Sequence, residues 1–238
     1  MKALEFYKYN KIFGLFAGLI SFIVYSLTVE PTASYWDCAE YISTSAKLQI
    51  GHPPGAPLFQ MLGAIFSIFA LESTQIAYAV NMMSVFSSSL TIMFLFWSIS
   101  LIGKEILCAK KILDINDSIK IFGASFIGSL TFTFTDSFWY NAVEAEVYAM
   151  ATLILSVLFW LGLKWADDFE NERSNKWLIL ISFVVGLSFG VHFMGLLAIP
   201  SIGLIYYFKK HKNFKLKSFL IANICLLYTS DAADELRS

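Results

Sequence analysis

The chain has 238 residues, of which 57% are hydrophobic, 17% aromatic and only 15% charged, with a formal net charge of −1. A soluble globular domain carries about 25% charged residues, so the composition sets aside a soluble protein and indicates an all-α polytopic membrane protein. The near-neutral charge sets aside a nucleic-acid partner.

Uncharged apolar runs occupy residues 12–29, 58–71, 76–102, 121–135, 147–163 and 177–208. A bilayer core about 30 Å thick needs about 20 helical residues. The runs at 12–29 and 76–102 meet that length, 58–71 falls short of it, and 121–135 needs its flanks. The run after Lys11 ends without a small-residue cleavage site and continues into Glu30-Pro31, so it reads as an uncleaved first helix. The 32 residues of 177–208 would make one helix about 48 Å long at about 1.5 Å per residue. They are therefore expected as two shorter helices turning near His192–Gly195.

Basic residues collect on the cytoplasmic side of short loops. Lys2, Lys8 and Lys11 place the N-terminus inside; 12–29 crosses outward, 58–71 stays at the outer side as an interfacial or re-entrant helix, and 76–102 returns. Lys104, Lys110, Lys111 and Lys120 then lie inside, as do Lys164, Arg173 and Lys176 and the run Lys209, Lys210, Lys212, Lys215 and Lys217. Reading 58–71 as a full span would export the strongest basic clusters. Under the preferred arrangement the outer face collects Asp37, Glu40, Lys47, His52, Asp136, Glu144, Glu146 and His192. Asp167, Asp168, Glu170 and Glu172 form a solvated inner loop.

The first outer loop, residues 30–59, reads EPTASYWDCAEYISTSAKLQIGHPPGAPLF. Ser34 is expected to cap a short helix over 35–48. Asp37 and Glu40, three apart, then share a face, and two neighbouring carboxylates tend to split their pKa values. The Gly51-His52-Pro53-Pro54-Gly55 stretch breaks that helix and displays His52 on a turn. The plainer alternative is a pair of solvated loop acids and an interfacial histidine. In the second outer loop, TDSFWYNAVEAEVYAM, Trp139 and Tyr140 fit an interfacial aromatic belt. Glu144 and Glu146, two apart, are expected to diverge on a helix, so that one of them at most faces a site, whereas Glu144 and Tyr148 align one turn apart. A carboxylate beginning a spanning helix also complements its positive end. His192 lies in GLSFGVH, where small residues allow close helix packing. The Met, Phe and Ser residues along 81–100 read as lipid-facing or helix-packing filler.

The chain ends CLLYTSDAADELRS. This resembles the conceptual translation of a transposon-end adapter from sequencing libraries, so 225–238 are expected not to be native and 1–224 to be the N-terminal part of a longer protein. Without Asp231, Asp234, Glu235 and Arg237, 16 basic and 15 acidic residues remain and the net charge moves from −1 to +1. Cys38 and Cys108 fall on opposite sides, with Cys225 in the tail, so no disulfide framework is expected.

W-D-x-x-E-Y, K-L-Q-x-G-H-P-P-G-x-P-L-F, F-W-Y-N-A-V-E-A-E-V-Y and G-L-S-x-G-V-H together resemble a bacterial membrane family, formerly a domain of unknown function, related to animal protein O-mannosyltransferases. The likeness runs in order from Met1 to Ile224 and is most specific at GHPPGAPLF. It implies a GT-C-type transmembrane helix bundle that uses a polyprenyl-phosphate-linked sugar at the outer face of the bacterial inner membrane, with a protein or glycan acceptor. It also implies an acidic base in the first outer loop, which carries onto Asp37. The chemistry requires deprotonation of an acceptor hydroxyl and stabilisation of a departing phosphate. Glu40 or Glu144 would orient the acceptor or tune the base. Lys47 and His52 are the phosphate-side candidates, with Glu146 and His192 completing the substrate-binding set. No cofactor beyond the lipid-linked donor is expected. The acids could hold a divalent ion, but their spacing does not demand a metal. The rival from another class is a transporter or lipid flippase using outer-face acids; it predicts ionisable groups in mid-helix and repeated halves, and neither is visible.

Overall fold

The computed structural model describes residues 3–108, 113–211, 215–221 and 223–224, which form helices joined by turns with no strand among them. The chain end at 225–238 with Cys225, and Lys2, Lys110, Lys111 and Lys212, lie outside the described residues, as does the side chain of Cys108. Among the described residues three helices are long and apolar enough to cross a membrane: within α1 (Ala3–Leu27), from the turn before α4 (Ile76–Cys108) along that helix, and α7 (Val147–Asp167). α5 (Ile115–Thr133) lengthens the 121–135 run by drawing in its polar flank. Asp114 caps it, accepting the Asp117 N–H at 2.7 Å. With Asp117 and Lys120 inside its first turns, α5 falls outside that set of three.

α4 is the central post, with α1, α5 and α7 packed along it. Gly14 and Gly18, one helical turn apart on α1, let the two backbones approach. A Cβ on Gly14 would lie 2.0 Å from Trp97 Nε1, and one on Gly18 would lie 3.2 Å from the Ser89 carbonyl. Trp97 is held in that position because its indole N–H donates to the Asn10 carbonyl at 3.0 Å. Phe6 and Phe122 stack at 5.1 Å and Phe96 meets Phe126 at 4.8 Å, joining α1, α4 and α5 in one aromatic core. The 177–208 run divides into α8 (Asn175–Ser188), a 3-10 turn (Phe193–Leu197) and α9 (Ala198–Lys210). Leu158 and Leu161 of α7 pack with Ile181, Ala198 and Ile202 of that pair.

The polar groups separate to opposite ends of the bundle. At one end Lys104 of α4 and Lys164 of α7 pair with Asp167, which also accepts a hydrogen bond from Tyr7 of α1, while Lys209 of α9 reaches Glu105 at 2.9 Å. Asp167 is thus a partly buried strut between three helices and not the solvated loop acid expected of it. Its position at the last turn of α7, against two lysines, explains the difference. At the other end, where α1 finishes and α4 begins, the Asn81 amide of α4 donates to the Glu30 and Thr32 carbonyls at 2.6 and 2.9 Å. Because those two helix ends meet, α2 (Cys38–Lys47) and α3 (Pro57–Ser67) sit together at this acidic end. A separate core of Cys38, Tyr41, Ile42 and Phe59 packs them onto Val80 and Met83 of α4 and Val147 and Met150 of α7. Each such buried apolar side chain contributes on the order of 2 kcal/mol.

The first-loop helix begins at Cys38 and not near Tyr35, with Asp37 in the capping position. Trp36 adopts φ +58°, which a helix does not accommodate, and Ser34, expected as the cap, spends its hydroxyl on Glu144. The chain from Val143 to Glu146, between α6 (Asp136–Ala142) and α7, is not helical, which changes how the two glutamates of the second loop point.

Candidate functional site

Two motif blocks that are far apart in sequence meet at the acidic end. The N–H groups of Leu58 and Phe59, which open α3 and have no acceptor within it, donate to the Gly190 carbonyl at 2.7 and 3.3 Å. Gly190 permits this contact because a Cβ there would come within 2.8 Å of Leu58 Cβ. GHPPGAPLF is thereby seated on GLSFGVH, and between them lies a cavity of about 780 Å³. Asp37, Tyr41, His52 and Glu146 line its polar side together with Tyr148 and His192, while Phe189, Phe193, Leu196, Leu197 and Pro200 form an apolar wall.

Glu40 organises His52. One Glu40 carboxylate oxygen accepts the His52 backbone N–H at 2.6 Å and the other lies 3.1 Å from ring Nδ1, leaving Nε2 3.8 Å from the Asp37 carboxylate. The same hydrogen bonds hold the Glu40 carboxyl below its ordinary value, so an anionic Glu40 favours hydrogen on Nδ1. Tyr41 stands beside the ring, 6.0 Å centroid to centroid. Burial, with Glu146, Asp37 and Glu40 nearby, pushes its hydroxyl up to about 12. His192 takes an extended backbone, its Nδ1 accepts the Met194 N–H at 3.1 Å, and its ring lies 5.5 Å from Tyr148.

Glu144 and Glu146 diverge as expected, since Glu146 lines the cavity and Glu144 does not, but both are buried, at 3% and 5% exposure, so neither meets water. They diverge off a helix and not along one: Glu146 precedes α7 in extended backbone, and its N–H donates to the Glu144 carbonyl at 2.9 Å across a tight turn. For the same reason Glu144 and Tyr148 are not one helical turn apart. Glu144 accepts the Ser34 hydroxyl and ties the first loop to the second, and burial raises its carboxyl. Glu146 faces the cavity, and its Oε1 has no hydrogen-bond partner. Burial first, then the charges of Glu144 and Asp37, raise its carboxyl to about 7.

Of the seven residues singled out in the sequence, Asp37, His52, Glu146 and His192 line the cavity, Glu40 supports it through His52, and Glu144 braces the loop that carries Asp37. Lys47, in the last turn of α2, is solvent-exposed and outside the lining. The apolar wall and the buried Asn81 tether carried no signal strong enough to be picked out, and Tyr148 was noted only for its spacing from Glu144. An amide opening an otherwise apolar helix was the available cue for Asn81.

The raised Glu146 carboxyl has a stability consequence. The folded chain binds this proton more tightly than the unfolded chain, so stability is greatest with the group protonated and is lost as pH rises through the window from about 4.5 to about 7. Thermal unfolding followed in detergent between about pH 5 and about pH 8 should show a falling midpoint for wild type. The Glu146→Gln variant should give a flatter profile. Parallel profiles for the two proteins would show that Glu146 does not carry the linkage.

Residues 37–215 match the family described as Protein O-mannosyl-transferase TMEM260 N-terminal domain. The chain belongs to that family. A relative named Protein O-mannosyl-transferase tmem260 from Dictyostelium discoideum is 28% identical over 190 residues, covering 75% of this chain and 21% of that protein. The mouse protein O-mannosyl-transferase TMEM260 is 23% identical over 167 residues, covering 69% of this chain and 21% of its own length. The chain therefore spans about a fifth of the curated relatives it matches. No solved structure matches it. The TMEM260 N-terminal domain match takes in all seven candidate residues, from Asp37 to His192, and so the whole polar side of the cavity.

Proposed function

We propose that this chain carries the catalytic groups of a membrane glycosyltransferase, one that moves a sugar, mannose by the names of its relatives, from a polyprenyl-phosphate donor to a hydroxyl of a protein acceptor. The observation that carries this reading is the two-faced cavity, with carboxylates and imidazoles on one side and an apolar wall on the other, at one end of an apolar helix bundle. A lipid-linked sugar phosphate has the same two-part character. The apolar wall is partly open, with Leu197 68% and Phe189 48% exposed, and offers the lipid a path from the bilayer. Asp37 acts as general base on the acceptor hydroxyl, and a single displacement inverts the anomeric centre. Glu40 holds His52 against Asp37, and His52 and His192 face the departing phosphate. The lysine-bearing end is the cytoplasmic one, so the cavity faces outward and the N-terminus lies inside.

The ionisable groups named here sit at the two ends of the bundle and not midway along its spans, an arrangement that favours transfer at a surface over passage through the membrane. The test is transfer of radiolabelled mannose to peptide acceptors by membranes expressing the protein extended to the length of its relatives, supplied either with polyprenyl-phosphate mannose or with a nucleotide-linked mannose. Labelled peptide with the lipid-linked donor alone is the expected result. Transfer from the nucleotide sugar alone would overturn the donor assignment, and absence of transfer from both would overturn the transferase reading.

A further inference from the structure

A single inverting displacement needs two approaches to the sugar. The attacking hydroxyl meets the anomeric carbon on the face opposite the departing phosphate, so donor and acceptor enter from different sides. The Phe189–Pro200 wall is assigned to the lipid-linked donor. A second cavity, of about 390 Å³, adjoins the first and shares Tyr148 and Met194 with it. That volume falls within the range of about 300 to 1,000 Å³ usual for ligand pockets. Its remaining walls come chiefly from α5 and α6, which contribute nothing to the first cavity: Phe132, Ser137, Phe138 and Asn141, joined by Thr152 one turn along α7 from Tyr148.

We propose that this second cavity is the acceptor subsite and that it takes an uncharged peptide segment carrying the hydroxyl to be modified. The assignment rests on the transferase reading above. Tyr148 and Met194 form the edge common to the two cavities, so a peptide laid along α6 comes directly to the space lined by Asp37. The chemistry of the lining sets the ligand class. It contains no Lys, Arg, His, Asp or Glu, and the neighbouring Asp136 stands outside it. A charged side chain drawn in would lose water without gaining an ionic partner, whereas a neutral one would not incur that cost. The rings of Phe132 and Phe138, 4.5 Å apart, offer an aromatic surface to an apolar neighbour of the acceptor residue. Asn141 donates its side-chain N–H to the Ser137 carbonyl at 2.8 Å, which leaves its Oδ1 to accept a peptide N–H. A second lipid chain fits less well, because it would cover Asn141 and the Ser137 hydroxyl without matching them.

The test uses membranes expressing the protein extended to the length of its relatives. The probe is a neutral peptide with one serine and a benzophenone-bearing residue two positions away. Illumination followed by mass spectrometry locates the attached peptide whether or not sugar is transferred. Capture within residues 132–141 or at Thr152, suppressed by excess unlabelled peptide, is expected. No capture, capture confined to the Phe189–Pro200 wall, or capture of a benzophenone-tagged lipid at 132–141 that peptide does not displace would overturn the subsite. In transfer assays Ser137→Trp, which places a large ring at an exposed position of the lining, should raise the peptide KM at least about 10-fold with the donor KM unchanged. The control Ser73→Trp, exposed and outside the lining, should change neither. An unchanged peptide KM in Ser137→Trp would overturn the subsite. Lysines or glutamates flanking the serine should raise the wild-type peptide KM to a similar degree, and equal use of charged and neutral peptides would overturn the ligand class. Peptide capture at α6 by a protein that transfers no sugar would sink the transferase reading and leave the subsite standing. Sugar transfer with capture elsewhere would do the reverse.

Discussion

Replacing Asp37 by Asn is expected to lower sugar transfer by about 100- to 10,000-fold, the range over which a positioned general base acts. Asparagine keeps the shape of the side chain and loses the ability to take a proton. The substitution is also structurally mild. Asp37 occupies the capping position of α2 without a side-chain capping hydrogen bond, and its side chain is about half exposed, at 54%. Its loss should therefore leave the folding stability within about 0.5 kcal/mol of wild type, as for other surface changes away from packed features. Transfer and unfolding measured together on the same preparations separate the two effects. Undiminished transfer would remove Asp37 from the chemistry and move the base to Glu146, the other carboxylate lining the cavity.

Asn81→Leu should have the largest effect on structure. Asn81 is completely buried, donates to two carbonyls of the loop between α1 and α2, and accepts from the Cys38 thiol at 3.9 Å. Leucine keeps the branched shape but has no polar atom. It leaves the Glu30 and Thr32 carbonyls without that donor; the cost is about 1 to 3 kcal/mol for a fully buried group and less here, where Glu30 is half-buried and Thr32 exposed. Because this loop carries Asp37, transfer should fall along with the unfolding midpoint, and protease cleavage between residues 28 and 37 should accelerate. A variant with wild-type midpoint and wild-type cleavage would show that the Ser34–Glu144 contact, together with the hydrogen bond from the Glu30 N–H to the Val143 carbonyl, is enough to hold the loop.

The helical, membrane-embedded class and the separation of basic from acidic groups were legible because both depend on one-dimensional properties. Hydrophobic run length decides whether a segment can span, and lysine placement decides which segment ends belong together. The division of 177–208 followed from length alone. The helix start in the first loop was misplaced because a capping serine is a local signal, and Ser34 is claimed instead by Glu144, 110 residues away. The roles of the two second-loop glutamates were likewise hidden, since a helical period was applied to a segment whose backbone is not helical.

What the sequence by itself determined is the membrane class, the crowding of acids and histidines at one end, and the family likeness in its motif blocks. These are matters of composition, order and spacing. Only the tertiary structure decided which of those polar groups share a cavity. It brought Asp37, His52, Glu146 and His192 together, withdrew Glu144 into a brace, and left Lys47 in solvent. The physical reason is that the contacts responsible, α3 seated on the Gly190 carbonyl and the first loop held by Asn81 and Glu144, join residues 49 to 132 positions apart. Their hydrogen bonds form only once the helices have packed, and no local pattern announces them.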